Sequence, residues 1–360
     1  MMFDIVEILQ YNPYSLDKST KENLLIDKLK EITKFHKSNC KEYEQIINGL
    51  DIDIDKIQDI EKIPFLPVRL FKDYELLSVD KGNVIKIMTS SGTTGQRVSK
   101  IFLDRENATN QTKVLTKIVS SFIGNRRLPM LILDTSAIVK NRNLFSARAA
   151  GILGFSMFGR DHTYALDENM NLNIDKIQEF LGKYQGQPIL LFGFTYMIWE
   201  YIYNKIKIED IKLDFSNGIL IHGGGWKKLI DQQVDNKIFK ESLKQLCGLD
   251  KIYNYYGMVE QTGSIYMECE YGHFHTPIFS DIIIRNFTTF KPEKTAQEGL
   301  IQVISLLPNS YPGHSILTED IGQLLGEDDC PCGRFGKYFK IKGRLRNAEI
   351  RGCSDTYESK

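Results

Sequence analysis

The sequence has no surplus of charge: 46 lysines and arginines stand against 46 aspartates and glutamates. A chain so balanced has no strong field with which to gather nucleic acid or an anionic membrane, so small molecules or another protein are the expected partners. No apolar stretch approaches the roughly 20 residues of a membrane-spanning helix. The opening, MMFDIVEILQYNPYSLDK, lacks the basic-then-apolar layout of a secretory leader and reads as a short helix; a cytoplasmic location is expected from this. Six cysteines in 360 residues, without such a leader, point to reduced thiols, metal ligands or a nucleophile rather than a disulfide framework. Two catalytic strings are also missing. Without G-x-x-x-x-G-K-[ST] the chain is no ordinary P-loop NTPase, and without a G-x-S-x-G elbow it is no serine esterase.

What is present is an ordinary globular composition, 42% hydrophobic and 26% charged, able to bury a sizeable core. Residues 1–80 read as a helical N-terminal region, with Leu25, Leu29 and Ile32 at helical spacing. Pro64 and Pro67 break that pattern. From Val84 onward, short apolar runs alternate with amphipathic stretches, the α/β pattern of a mostly parallel sheet covered by helices. Strands are expected at Val84–Met88, Met130–Leu133, Ile189–Phe192, Gly218–Ile221, Ile252–Tyr255, Asp281–Ile284 and Leu300–Leu306. Helices are expected at Glu106–Phe122, Leu144–Leu153, Ile174–Leu181 and Lys237–Leu246. Residues 81–345 then form one large α/β domain and 346–360 a short tail.

Directly after the first expected strand stands Thr89-Ser90-Ser91-Gly92-Thr93-Thr94-Gly95. Its glycines let the backbone approach a polyanion, and its hydroxyls and N–H groups can donate to phosphate oxygens. The same composition also suits a flexible hairpin. A second glycine-rich stretch, His222-Gly223-Gly224-Gly225-Trp226, follows another expected strand.

The first loop resembles the nucleotide loop of adenylate-forming enzymes, the superfamily of acyl-CoA synthetases, luciferases and peptide-synthetase adenylation domains. Three later segments resemble the same superfamily in the right order. Tyr255-Tyr256-Gly257-Met258-Val259-Glu260 is similar to its Y-G-x-x-E segment, which implies adenine near Tyr256 and Gly257 and Mg²⁺ on Glu260. The physics suits the role: adenylation brings a carboxylate up to a phosphate, and a divalent ion lowers that repulsion. Thr318-Glu319-Asp320-Ile321-Gly322 resembles the T-G-D segment, with glutamate in place of glycine, and implies ribose hydroxyls on Asp320. Gly343-Arg344 resembles the G-R that ends the large domain, with the arginine facing the nucleotide. Gly223, Gly224 and Gly225 would lie along the adenine. His222 has two readings, a group facing the acyl carboxylate or a hydrogen-bonded structural histidine.

Within the superfamily the chain resembles the LuxE-type acyl-protein synthetases, near the phenylacetate-CoA ligase branch. Ile63-Pro64-Phe65-Leu66-Pro67-Val68-Arg69-Leu70-Phe71-Lys72, His222–Trp226 and Arg351-Gly352-Cys353-Ser354-Asp355 carry the likeness. It implies the large domain of adenylate-forming enzymes, with mixed sheets covered by helices and a small C-terminal lid absent or reduced; only residues 345–360 follow Arg344. It further implies ATP and Mg²⁺ as cofactors, a fatty acid as substrate, Cys353 as acyl acceptor and an acyl-protein reductase as partner. Thiolate is strongly nucleophilic and adenylate a good leaving group, so a thioester is a reasonable product. Two alternatives are a ligase to coenzyme A or a carrier protein, and a scaffold that holds nucleotide without turnover. Phe192, Phe194 and Trp199 can line an acyl tunnel or simply fill the core.

Finally, Cys330 and Cys332 follow an acidic turn, and Cys269, His273 and His275 lie earlier. Cys-x-Cys is cramped for a disulfide, whereas Cys269, His275, Cys330 and Cys332 would make a closed, structural Cys₃His zinc site. Unligated thiols are the alternative reading. His275 is preferred to His273 because it adjoins the following apolar strand.

Overall fold

The computed structural model describes residues 5–90, 97–140, 147–226 and 232–345. Helix α1, Lys18–Asn39, starts where the Asp17 carboxylate accepts the Thr20 N–H at 2.9 Å, a side-chain cap for an otherwise unpaired donor. Leu25, Leu29 and Ile32 face inward as their spacing predicts. Helix α2, Lys41–Gly49, packs beside it. Strands β1, Val84–Thr89, and β2, Lys100–Asp104, pair antiparallel. The Asp104 carboxylate then accepts the Asn107 N–H at 2.7 Å as helix α3, Arg105–Ile123, begins.

Next come β3 (Leu128–Thr135), α4 (Ala147–Ser156), β4 (Gly159–Leu166), α5 (Ile174–Lys183) and β5 (Ile189–Phe194). A π-helical turn, Ile198–Tyr203, precedes β6 (Gly218–Gly223), α6 (Asn236–Cys247) and β7 (Lys251–Tyr256). The chain closes with six strands: β8 (Tyr266–Glu268), β9 (Phe274–His275), β10 (Ser280–Arg285), β11 (Glu298–Ser305), β12 (Ser315–Glu327) and β13 (Lys337–Arg344).

By their contacts the described residues divide into two compact units, one of residues 5–122 and 257–345, the other of residues 123–256. The second unit is a parallel sheet in the order β7-β6-β5-β3-β4. From β3 the chain goes to one side for β4 and to the other for β5. That reversal is a topological switch point, and in open α/β sheets ligands bind outside the carboxyl ends of strands at such a point.

The first unit is built differently. Its sheet runs β10-β11-β12-β13-β9-β8 with every neighbouring pair antiparallel, and Leu66–Pro67 adds a short parallel pairing to β12. The buried pairing of Lys337 with Asp281, 3.0 Å apart, sits beneath α1. Lys21 reaches down from α1 to the Thr276 hydroxyl at 2.8 Å and comes within 3.7 Å of Asp281.

All seven expected strands are present, with ends moved by a residue or two. The four expected helices are present as well, although residues 144–146 of one lie outside the described residues. The expectation of a mostly parallel sheet holds for the second unit. In the first unit the strands form hairpins, because the connection 286–297 has no helix to carry a parallel crossover.

Candidate active site

In the second unit β6 delivers His222 and Gly223 at its carboxyl end, and Gly224 turns the chain at a φ of +73°, a conformation that only glycine adopts cheaply. A Cβ on Gly223 would lie 2.4 Å from the Tyr255 ring, and one on Gly224 would lie 2.9 Å from Phe194. Any side chain here would displace an aromatic ring. Gly225 has open space around it. Tyr255 pairs in register with Gly223, so alternation along β7 sends Tyr256 to the opposite face.

The His222 ring is buried against Phe239, 4.8 Å between centroids. Its Nδ1 bonds the Thr195 hydroxyl at 2.9 Å, and Nε2 has no partner among the described residues. Burial, helped by the Lys240 charge, pushes its pKa down to about 3, so the imidazole is neutral. Thr195 is the first residue after β5, and nothing in its sequence setting marked it. Phe192 stacks on Phe155 at 4.5 Å and Trp199 on Tyr203 at 4.3 Å, so these rings are packed as core.

The sequence also gave no sign of Asp134, at the end of β3, or of Arg148, on α4. Both are buried, and Arg148 Nε stands 3.0 Å from Asp134 Oδ2. Arg148 Nη1 donates to the Tyr196 hydroxyl at 3.1 Å. Burial pushes the Asp134 carboxyl up to about 6, and the arginine opposes that rise.

In the first unit Ser90 closes the neck of the glycine-rich loop. Its N–H donates to the Ser99 carbonyl at 3.1 Å, and its hydroxyl accepts the Ser99 N–H at 2.9 Å. Ser91, Gly92, Thr93, Thr94 and Gly95 lie outside the described residues. Gly257 leads into a short 3₁₀ turn, Val259–Gln261, in which Glu260 is buried. Burial raises the Glu260 carboxyl. Ser99, Lys72 and Arg344 act in the opposite direction, favouring the charge.

Asp320 and Arg344 face each other across β12 and β13. Arg344 Nη2 donates to Glu319 at 3.1 Å, and its Nε lies 3.7 Å from Asp320. The segment expected as T-G-D is therefore part of a long strand, with a bulge between Ile321 and Gly322. The Thr318 hydroxyl accepts the Asp320 N–H at 3.1 Å, which fixes the backbone beneath the carboxylate.

Cys269, His275, Cys330 and Cys332 converge, their ligand atoms all within 4.8 Å of one another. The Cys269 and Cys330 sulfurs are 4.0 Å apart, and Cys332 Sγ is 3.3 Å from His275 Nε2. A tetrahedral zinc with bonds of about 2.3 Å would space its sulfurs about 3.8 Å apart, so the donor set fits that ion. His273 stands outside the set and contacts the Cys330 sulfur through Nδ1 at 3.3 Å. Cys353 lies outside the described residues.

Among the described residues no helix is long and apolar enough to cross a membrane. The sequence matches the family described as Acyl-protein synthetase, LuxE, over residues 3–360. It is 25% identical over 342 residues to the long-chain-fatty-acid–luciferin-component ligase of Aliivibrio fischeri, covering 91% of this chain and 86% of that protein. The protein of the same name from Vibrio harveyi is 24% identical over 333 residues, 89% and 83% of the two chains.

Among solved structures, the open conformation of 2-hydroxyisobutyryl-CoA ligase with 2-HIB-AMP and CoA has a TM-score of 0.70 at 13% identity, covering 93% of this chain and 77% of that one. The same ligase in its postadenylation state gives 0.71, also at 13% identity, covering 93% and 70%. At such identity what is shared is the fold, that of an adenylate-forming ligase. With a match that spans almost its whole length, the chain belongs to the LuxE acyl-protein synthetase family.

Proposed function

We propose that this acyl-protein synthetase activates a long-chain fatty acid with ATP and takes the acyl group onto Cys353. In the first half-reaction a carboxylate oxygen of the acid attacks the α-phosphorus, and pyrophosphate leaves with the electron pair of the broken P–O bond. In the second, the Cys353 thiolate attacks the acyl carbonyl and AMP leaves, forming a thioester. The observation that carries the nucleotide reading is Glu260, a buried carboxylate on which Lys72 and Arg344 act only through space. A buried acid in that state suits a cation supplied from outside the chain.

A divalent ion, when bound, offsets the charge of the triphosphate and of the leaving pyrophosphate. The chain's own residues then have distinct tasks. Gly223, Gly224 and Gly225 present bare backbone to the adenine, and Tyr256 and Gly257 are assigned to the same nucleotide. Asp320, 3.7 Å from Arg344 Nε, accepts the ribose hydroxyls, and Arg344 adds positive charge near the phosphates. Ser90 holds the neck of the loop whose residues 91–95 bind the phosphates. His222, neutral and oriented by Thr195, offers its Nε2, which has no partner among the described residues, to the acyl carboxylate. Cys269, His275, Cys330 and Cys332 would hold a structural zinc, which would tie the β8–β9 hairpin to the loop before β13 rather than take part in catalysis.

Incubation with ATP and radiolabelled fatty acid tests the transfer step. The account expects a hydroxylamine-sensitive label on the protein. Cys353→Ser should lose that label while keeping fatty-acid-dependent exchange of pyrophosphate into ATP. A label that persists on the variant would place the acyl group elsewhere.

A further inference from the structure

Glu260 is held against the stretch 310–314 by close backbone contacts. The Gln261 side-chain amide donates to the carbonyls of Gly313 at 3.0 Å and Val303 at 3.3 Å. A Cβ on Gly313 would lie 2.2 Å from the Tyr311 ring and 2.9 Å from the Glu260 carbonyl oxygen. Glycine at 313 thus lets the Tyr311 ring lie beside the Glu260 turn. The ring is fully buried and meets Phe71 edge-on at 6.2 Å. The preceding residue is pinned: the Ser310 hydroxyl donates to the Phe102 carbonyl at 2.6 Å, and the Asn107 side-chain oxygen accepts the Ser310 N–H at 3.1 Å.

Within this rigid frame the Tyr311 hydroxyl has no hydrogen-bond partner among the described residues. Nor does the hydroxyl of Ser99, equally buried, which is near enough to favour the charged form of Glu260 but off hydrogen-bond geometry. An orphaned buried hydroxyl is destabilising, a penalty that phenylalanine at 311 would avoid. Such a group calls for an explanation, and function is a common one. The charge that acts on the Tyr311 phenol is that of Glu260. The phenol is a donor in waiting beside a carboxylate that has no ion pair among the described residues.

We infer that Tyr311 is a positioning residue: its hydroxyl donates to the Glu260 carboxylate when that carboxylate ligates the divalent ion of the ATP complex, and so orients the ligating oxygen. The inference rests on the nucleotide reading of Glu260 given above. Groups that orient a metal ligand in this way typically contribute about 10–100-fold to metal affinity.

The test is Tyr311→Phe, read in three ways on the full chain. Its melting temperature without ligands should equal or exceed that of the wild type, because the orphaned hydroxyl is gone. Its dissociation constant for Mn²⁺ in the presence of a non-hydrolysable ATP analogue, measured by electron paramagnetic resonance, should rise at least about tenfold. In the double variant Glu260→Gln/Tyr311→Phe the second change should weaken Mn²⁺ binding no further, because Tyr311 acts through Glu260. Wild-type Mn²⁺ affinity in Tyr311→Phe overturns the inference and leaves the nucleotide reading standing. A melting temperature that falls in step with the affinity also overturns it, since the hydroxyl then serves the fold. Failure of the wild type to bind Mn²⁺ with nucleotide overturns both.

Discussion

Asp134 in the second unit and Glu260 in the first are both buried carboxyls raised by burial, yet their surroundings differ. Asp134 has its counter-charge within the chain, the Arg148 guanidinium at 3.0 Å. Glu260 is flanked by hydroxyls and feels its cations at a distance. A carboxylate whose partner is built in serves the fold. One whose partner must arrive from outside serves a ligand. The thiols of Cys269 and Cys330 invite the same question: burial raises Cys330 to about 12 and Cys269 in the same direction, and with Cys332 and His275 they form the cluster proposed above to hold zinc.

The contrast can be broken at three points. The largest effect is expected from Cys330→Ser, which would remove a ligand of the proposed zinc site in the first unit. Metal analysis of the wild type should find about one zinc per chain. The variant should lose it and melt at a temperature lower than any other variant described here, because structural metal binding contributes directly to folding. Wild-type protein that carries no zinc as purified, or whose melting temperature is unchanged when zinc is removed by a chelator, would remove zinc from the account.

Next is Arg148→Leu. It strands Asp134 uncompensated in the core and should cost about 3–5 kcal/mol of stability in urea unfolding. A loss below about 1 kcal/mol would show that Asp134 finds relief elsewhere and that the two carboxylates differ less than stated. The smallest change in stability is expected for Glu260→Gln, within about 1 kcal/mol of the wild type or more stable, because burying an amide costs less than burying a charge.

Much of the second unit was legible in the sequence because strands buried on both faces are continuous apolar runs, such as Ile189–Phe194. The long β12 was not. Its Thr318–Gly322 stretch is polar and was not among the expected strands, whereas pairing to β11 and β13 holds it extended through a bulge. The convergence of Cys269, His275, Cys330 and Cys332 was legible because cysteine and histidine in close spacing announce their chemistry, even though Cys269 and Cys330 lie 61 residues apart. Asp134, Arg148, Thr195 and Tyr311 carry no such mark. A lone polar residue at a strand end or within an apolar run acquires its meaning only from partners that the fold brings to it, or fails to bring.

The most direct test of the central claim, that Glu260 is kept free for a cation on the nucleotide, is fatty-acid-dependent pyrophosphate–ATP exchange measured against Mg²⁺ concentration in the wild type and Glu260→Gln. The account predicts exchange in the wild type and a loss of at least about 100-fold in the variant, the scale of removing one preorganised electrostatic group, with the melting temperature unchanged or higher. A folded Glu260→Gln that exchanges at the wild-type rate, or a wild type that never consumes ATP with any fatty acid, would contradict it.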